Sequence, residues 1–533
     1  MPNVADILHH HTTLDIRCVD RLYLNAYIPR LQQPGGVVGL LHDVRGQRIP
    51  SPALFGQMTE QFKKHLRDWA DQGGIPWIEF RKGERKDDLV ERYRQDFSQT
   101  HGVVLVGVAQ ERASAWHGIT QRQGRHLHFE YTRRSVCVNH YYVYVIDRDW
   151  GPAFIKICGY APYAVKLCLN GHEWAKRQAS RRRLLFTALD NGFLACRSPD
   201  KIQEICDQLA AQDLQDFFQR WRATIPFPLT QEDEQAGFGY QLSILQIETS
   251  LTQVFDRPVR GREFFEEVVR DHLDLGRPDR VQLLFPRRIT RRTPGRFRTR
   301  VITHGVAPSL HVEYKHCRVK QYFKEERALR TDTTINDAYD FGVGRGLKNF
   351  DYLRTLGQHI NARLLEIQQV SHDCGLSQAQ LAELVLPGKT PDGQPAPALK
   401  YGDPRVLALL QALCRFAFAA NGITNAALRT HVAQLLGEKP YSSRQMGYDL
   451  RRLTRKGLLH RLPSKLTYVL TPKGRRVAIF LTKLHSRAIR PGLQALDLEI
   501  HSLAPPRLRQ LFDAIDQETQ RYLQEARLAV VHP

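Results

Sequence analysis

The stretch that most constrains the fold is residues 403–488. Apolar positions at helical spacing run from about Pro404 to Phe418, and Asn421-Gly422 breaks the run. Thr424 can cap a second helix ending near Leu436. Ser442 or Ser443 can cap a third over residues 444–456, which Gly457 stops. Two short strands follow, LLHRL (458–462) and TYVLT (467–471), joined by the turn PSK. The order is helix, helix, helix, hairpin. A Pro/Gly-rich linker, PGKTPDGQPAP (387–397), separates this part from the rest of the chain.

The segments LRRLTRKGLLHRL (450–462) and YVLTPKGRRVA (468–478) together resemble the recognition helix and wing of bacterial winged helix-turn-helix regulators. That resemblance implies a third helix in the major groove and a wing against the DNA backbone. It falls on Ser443, Arg444, Gln445, Tyr448, Arg451, Arg452 and Arg455 in the helix, and on Arg461, Lys465 and Lys473 at the wing. Arg and Gln read base edges bidentately, whereas Lys suits phosphate. The alternative is a winged helix used only for protein contacts; the positive helix face favours nucleic acid.

Charge points the same way. The chain has 77 Lys and Arg against 55 Asp and Glu, a net charge of +22, and so attracts polyanions. With 42% apolar and 25% charged residues among 533, it is neither a disordered tail nor a collagen-like fibre. The longest tightly apolar strings, such as residues 141–146, are strand-sized, so no membrane partner is expected. The N-terminus lacks the basic region and long apolar core of a secretory signal. Nine cysteines, with no C-x-x-C spacing, read as reduced thiols of a cytoplasmic, nucleoid-associated protein.

The fold class expected is α+β and multidomain, with a mixed or antiparallel β-rich centre, helical segments and a C-terminal winged helix. The segments are an N-terminal α/β region (1–115), a β-rich region plus helices (116–225), and a helical segment followed by a basic antiparallel β-region (226–350). A helical segment with the linker (351–398), the winged helix (399–490) and a helical tail (491–533) complete the chain. Residues 234–275, which include ETSLTQVF, are expected to be mainly helical.

A second constellation lies in HVEYKHCRVKQYFKEERALRTDTTIN (311–336). Side chains alternate along a strand, so Lys320, Tyr322 and Lys324 share one face, as do Arg330, Asp332, Thr334 and Asn336. A turn at residues 325–328 would set Lys324 opposite Arg330 and Tyr322 opposite Asp332. Lys320, Lys324 and Arg330 would then hold a phosphate and favour the phenolate of Tyr322, with Asp332 binding a divalent metal. Two plainer readings stand beside this one: a basic sheet that only grips phosphates, and an exposed hairpin. Upstream, residues 280–300 hold eight arginines and no acid, among them Arg296, Arg298 and Arg300. Aromatics interleaved with basic residues near 297–323 can stack the bases of a single strand.

The pattern K-x-Y-x-K followed by L-R-x-D-T-x-x-N resembles a broad family of uncharacterised bacterial proteins, often present in several copies per genome. VNHYYVYVIDRDWGPAFIKI (138–157) and LNGHEWAKRQ (169–178) belong to the same resemblance, which covers most of the chain and implies a mobile element. The Tyr322 segment is also similar to rolling-circle replication initiators and nickases, which use a tyrosine nucleophile and a metal. Asp332 stands where those families usually have Glu.

Other candidates are weaker. His126 and His128 fall one residue apart on a strand, a spacing used by metal sites, and His9–His11 reads as a local run. Asp147 and Asp149 would suit metal-assisted phosphodiester cleavage, yet DRDWGP is also what a hairpin turn looks like. Lys82, Glu84, Lys86, Asp87 and Asp88, with Glu111, combine acids and lysines as nuclease centres do, and equally as a solvated helix start does. PGKT (387–390) lacks the first glycine of a phosphate-binding loop, so nothing indicates nucleotide hydrolysis.

The expectation is a DNA-binding protein of a mobile or replicating element, with Mg²⁺- or Mn²⁺-dependent nickase or nuclease chemistry through Tyr322 and Asp332 and with Asp147 as a further ligand. The alternative is a non-enzymatic binder, either a regulator or an RNA-binding protein, and a scaffold is the third reading.

Overall fold

The structure is a computed structural model. It describes residues 4–81, 83–123, 126–272, 280–284, 307–314, 316–372, 376–416, 422–437, 441–462 and 466–489, with scattered positions from 507 to 521. The chain packs as two compact units. The larger is His11–Gly261 with Asp279–Ala362; the smaller is Met1–His10, Arg262–Pro278 and Arg363–Pro533. Among the described residues no helix is long and apolar enough to cross a membrane.

The larger unit is built on one mixed sheet. Its strands are β1 (Thr12–Tyr27), β2 (Trp77–Glu79), β3 (Gly102–Gln123), β4 (His126–Asp147), β5 (Gly151–Cys158) and β6 (Val165–Asn170). A separate hairpin, β7 (Phe186–Leu189) and β8 (Gly192–Cys196), comes next, and then β9 (Gln241–Phe255), β10 (Arg280–Leu284), β11 (Ala307–Tyr314), β12 (Cys317–Lys324) and β13 (Ala328–Ile335). The order is β10-β11-β12-β13-β9-β1-β6-β5-β4-β3-β2. Every pairing is antiparallel except β2 with β3. The segments expected at 1–115, 116–225 and 226–350 thus all contribute to a single sheet.

One face of the sheet is apolar and covered. The helix Ala53–Gln72 turns Phe55, Phe62, Leu66 and Ala70 inward, with Phe62 edge-on to Tyr141 of β4. Fully burying a Phe or Leu side chain contributes about 1.5–3 kcal/mol. Along β13 every residue is buried. Thr333 on one side donates to Asn361 of the helix Phe350–His372 at 2.6 Å, and Gly357 lets that helix close onto Thr249, whose Oγ1 would lie 2.3 Å from an added Cβ.

Two expectations need correction here. Residues 241–255 are a strand, not a helix. ETSLTQVF is rich in β-branched residues, and β9 sits mid-sheet between β1 and β13, where pairing on both sides overrides any helical spacing. In the β12–β13 hairpin the register is two residues from the expected one: Lys320 pairs with Asp332, Tyr322 with Arg330 and Lys324 with Ala328. A three-residue turn, with Glu325 and Glu326 at φ 50° and 54°, replaces the four-residue one. A shift of two keeps every side chain on its expected face.

In the smaller unit, residues 404–489 run helix Pro404–Phe416, strand Ile423–Thr424, helix Asn425–Leu435, helix Ser443–Arg455, strands Leu459–Arg461 and Thr467–Leu470, and helix Pro472–Leu484. The three short strands form one sheet with Thr467–Leu470 in the middle. Leu409, Leu413, Leu428, Val432, Met446, Leu450, Leu453 and Val477 meet in its core. Thr424 and Ser442 cap the second and third helices, as their positions predict.

Candidate functional site

Alternation does place Lys320, Tyr322, Arg330 and Asp332 on one face, but that face turns into the protein at this end. The β7–β8 turn and the start of the helix Gly171–Arg181 meet it there through Asn191 and His172. Asn170 caps that helix, accepting from the amides of His172 and Glu173 at 2.9 and 3.2 Å. The Arg330 guanidinium, fully buried, donates to Asp332 Oδ1 at 2.8 Å, to Asp20 Oδ2 of β1 at 2.6 Å and to the Asn191 carbonyl. It also lies 2.9 Å from His172 Nε2, which must accept, because a guanidinium has no lone pair to offer. Ser250 of β9 sits 2.8 Å from the same nitrogen. Asn191 holds Asp20 from its side chain and accepts from Asn170 at 2.9 Å.

This corrects the role expected of Arg330. A guanidinium closed off from solvent and shared by two carboxylates neutralises its neighbours and is out of reach of an external phosphate. Burial pushes the Asp332 carboxyl above its ordinary range despite Arg330, whereas for Asp20 burial is outweighed by the charge of Arg330 acting together with the Asn191 hydrogen bond and the other cations nearby, which hold the carboxyl down. The expected phenolate at Tyr322 is not favoured either. Burial raises the phenol, and the Asp332 carboxylate, hydrogen-bonded to it, raises it further. Lys320 lies over the Tyr322 ring at 4.1 Å, and Lys324 stands 3.7 Å from Asp190 and 3.8 Å from Glu325. Sequence reasoning did not single out Asp20, His172 or Asn191. His172 lies inside the segment LNGHEWAKRQ, but Asp20 and Asn191 carry no local signal.

Asp147 is the hub of a turn. It is fully buried and accepts from the amides of Asp149 and Trp150 at 2.8 and 3.0 Å, from Arg220 at 2.5 Å and from the Trp221 indole at 2.9 Å. Asp149 pairs with Arg220 and Arg181, both at 2.6 Å. Four donors on Asp147 leave it a turn anchor rather than a metal ligand. The only group of three or more metal-type donors among the described residues is His316, Asp337 and Asp340, whose atoms lie within 4.8 Å of one another. Asp340 already binds the His316 amide at 3.1 Å, Asp337 pairs with Arg345 at 3.3 Å, and neither Asp147 nor Asp332 belongs to the group.

Glu111 joins Lys86 of the KGERKDD region rather than the acids there. Lys86 and the Tyr142 hydroxyl each bond it at 2.6 Å, and Lys156 grips the other oxygen. Burial pushes this carboxyl up, but the bonds from Lys156, Lys86 and Tyr142 outweigh it and bring the pKa down to about 2. Asp87 and Asp88 are exposed in the first turn of the helix Lys86–Asp96. Lys82, Arg296, Arg298, Arg300 and Lys465 lie outside the described residues, as do the side chains of His126 and His128.

In the smaller unit the helix Ser443–Arg455 has two distinct faces. Met446, Asp449, Leu450 and Leu453 are buried. Asp449 accepts from Arg405 Nε at 2.7 Å and from the Tyr441 hydroxyl, which ties this helix to the start of Pro404–Phe416. Ser443, Arg444, Tyr448 and Arg451 are exposed. Gln445 is exposed too, but its side chain closes the capping box on the Ser442 amide at 2.8 Å, so its carbonyl is committed to the cap. Arg452 packs near Tyr448, its guanidinium carbon 5.9 Å from the ring centroid. Arg455 donates to the Pro395 carbonyl and to Gln394, and Lys473 pairs with Glu383 at 2.6 Å. Arg461 is exposed on the hairpin. Of the set expected from sequence, Arg444, Tyr448, Arg451 and Arg461 therefore form the outward face.

No protein family, no curated protein and no solved structure matches the chain.

Proposed function

We propose that residues 404–489 form a winged helix that binds duplex DNA, with the helix Ser443–Arg455 in the major groove and the hairpin that carries Arg461 along the backbone. The observation that carries this reading is the outward helix face: Arg444, Tyr448 and Arg451 are exposed, and the helix's one acid, Asp449, points into the core. Over residues 404–489 the sequence has sixteen Lys and Arg against Glu438 and Asp449. Such a field supplies the sequence-independent part of DNA affinity, and exposed Arg side chains at a helix N-terminal half supply base contacts. The order of helices and hairpin supports the same reading.

Strand cleavage by Tyr322 is the less supported half of the expectation, since its phenol is held protonated and Asp332 is committed to Arg330. The test uses the full chain and a labelled random-sequence duplex across a salt series, followed by gel analysis with Mg²⁺ or Mn²⁺. Arg444→Glu and Arg451→Glu are expected to weaken binding and to lower the slope of log K against log salt by about one per lost phosphate contact. Intact substrate is expected in both metals. Unaltered binding by both variants would refute the winged-helix reading, and metal-dependent cleavage abolished by Tyr322→Phe would restore the nickase.

A further inference from the structure

The face of the sheet opposite the helix Ala53–Gln72 is only partly covered, and its side chains form rows across four adjacent strands. Tyr23 of β1 pairs with Cys168 of β6, Cys168 with Phe154 of β5, and Phe154 with Tyr144 of β4, so three aromatic rings lie in one row. Tyr23 and Phe154 meet edge-on at 6.1 Å, and Tyr144 and Phe154 tilt together at 5.6 Å. All three rings are half-buried rather than sealed.

Cations flank this row on both sides. Two residues along, Lys156 stands directly opposite the exposed Lys166. Like charges opposite each other on a sheet oppose folding, and of these two lysines it is Lys156 that Glu111 pairs with. Two residues the other way, Arg21 of β1 is exposed. A cavity of 330 Å³ opens over the aromatic row, with Tyr23, Tyr144 and Phe154 as its apolar wall. Arg21 supplies donors at its rim, and Asp87 and Glu91 of the helix Lys86–Asp96 supply acceptors.

Half-exposed rings, a cation row one step away and a rim with both donors and acceptors match the chemistry of an unstacked nucleobase on a phosphate backbone. We propose that this open sheet face binds single-stranded nucleic acid, one base entering the cavity over Phe154 and the adjoining phosphates lying over the Lys156–Lys166 pair. The site is built from residues of the larger unit, none of them in 404–489, and goes beyond that reading.

The test measures binding of fluorescein-labelled dT15 and U15 to the full chain by anisotropy, in parallel with a labelled duplex. Lys166→Glu, at an exposed position, and Phe154→Leu, which keeps an apolar side chain, are each expected to weaken single-strand binding about tenfold or more, the scale of one lost stack. Duplex binding is expected to stay as in the wild type, and the circular-dichroism spectrum and melt are expected to show both variants folded at the assay temperature. Arg444→Glu is expected to do the reverse, so failure of the duplex reading and failure of this one are separable. Photocrosslinking of a 5-iodouracil-substituted strand is expected to label peptides that carry Tyr23, Tyr144 or Phe154. The proposal is overturned if the wild type binds neither strand, if Lys166→Glu binds as the wild type does, or if the crosslinks fall elsewhere.

Discussion

Replacing Arg330 with Met removes the one cation that Asp20 and Asp332 share inside the larger unit. The side chain is fully buried, so solvent cannot take over its role. Stripping one partner from a buried ion pair costs about 3–5 kcal/mol, because the remaining charge is left uncompensated. Here two carboxylates lose their partner, which places Arg330→Met at the upper part of that range. Against a net stability of about 5–15 kcal/mol for a domain, this is a large fraction. At about 2–4 °C per kcal/mol for a unit of this size, the melting temperature drops by roughly 8–20 °C. Calorimetry of the full chain, following the transition of the larger unit, reads the change directly. Arg327→Met is the control: Arg327 is exposed in the neighbouring turn, and its loss stays within about 0.5 kcal/mol.

The pH dependence gives the same reasoning a second handle. In the wild type Asp20 titrates below its unfolded value, so its stabilisation is complete above the ordinary carboxylate range and is lost as the pH falls through its folded pKa. Without Arg330, the largest opposition to burial is gone from both carboxylates and their pKa values rise, so they oppose folding at neutral pH and cease to do so once protonated. The deficit of Arg330→Met is therefore largest near neutral pH and shrinks towards about pH 4. A deficit below about 1 kcal/mol, or one that does not change with pH, would refute the buried-charge account.

Two further changes test the account elsewhere. Glu111→Gln removes a carboxylate whose pKa is brought down to about 2, so the wild type carries stability above about pH 4.5 that fades as the pH falls towards 2, and the variant's acid-unfolding curve is expected to be flatter there. In the smaller unit, Ser442→Ala takes away the oxygen that accepts from the Gln445 amide at 3.2 Å; a loss of about 1 kcal/mol is expected in urea unfolding.

Sequence determined what rests on neighbours along the chain. Thr424, Ser442 and Gly457 mark helix ends because caps and left-handed glycines act within a turn of backbone, and Gly457 does sit at φ 71°. Asp147 anchors a turn through the amides two and three residues on, which is again local. Alternation likewise put Tyr322, Arg330 and Asp332 on one face. Tertiary structure decided whether that face meets water. The groups that close over Arg330 are Asp20, His172 and Asn191, at sequence separations of 310, 158 and 139 residues. Strand period fixes which side chains share a face, but coverage of the face depends on what other segments bring to it. The same limit explains β9, whose β-branched run has no fixed structure of its own until β1 and β13 pair with it on either side. Gln445, exposed and well placed to read a base, is spent instead on the Ser442 amide three residues back, a capping-box contact that is again local.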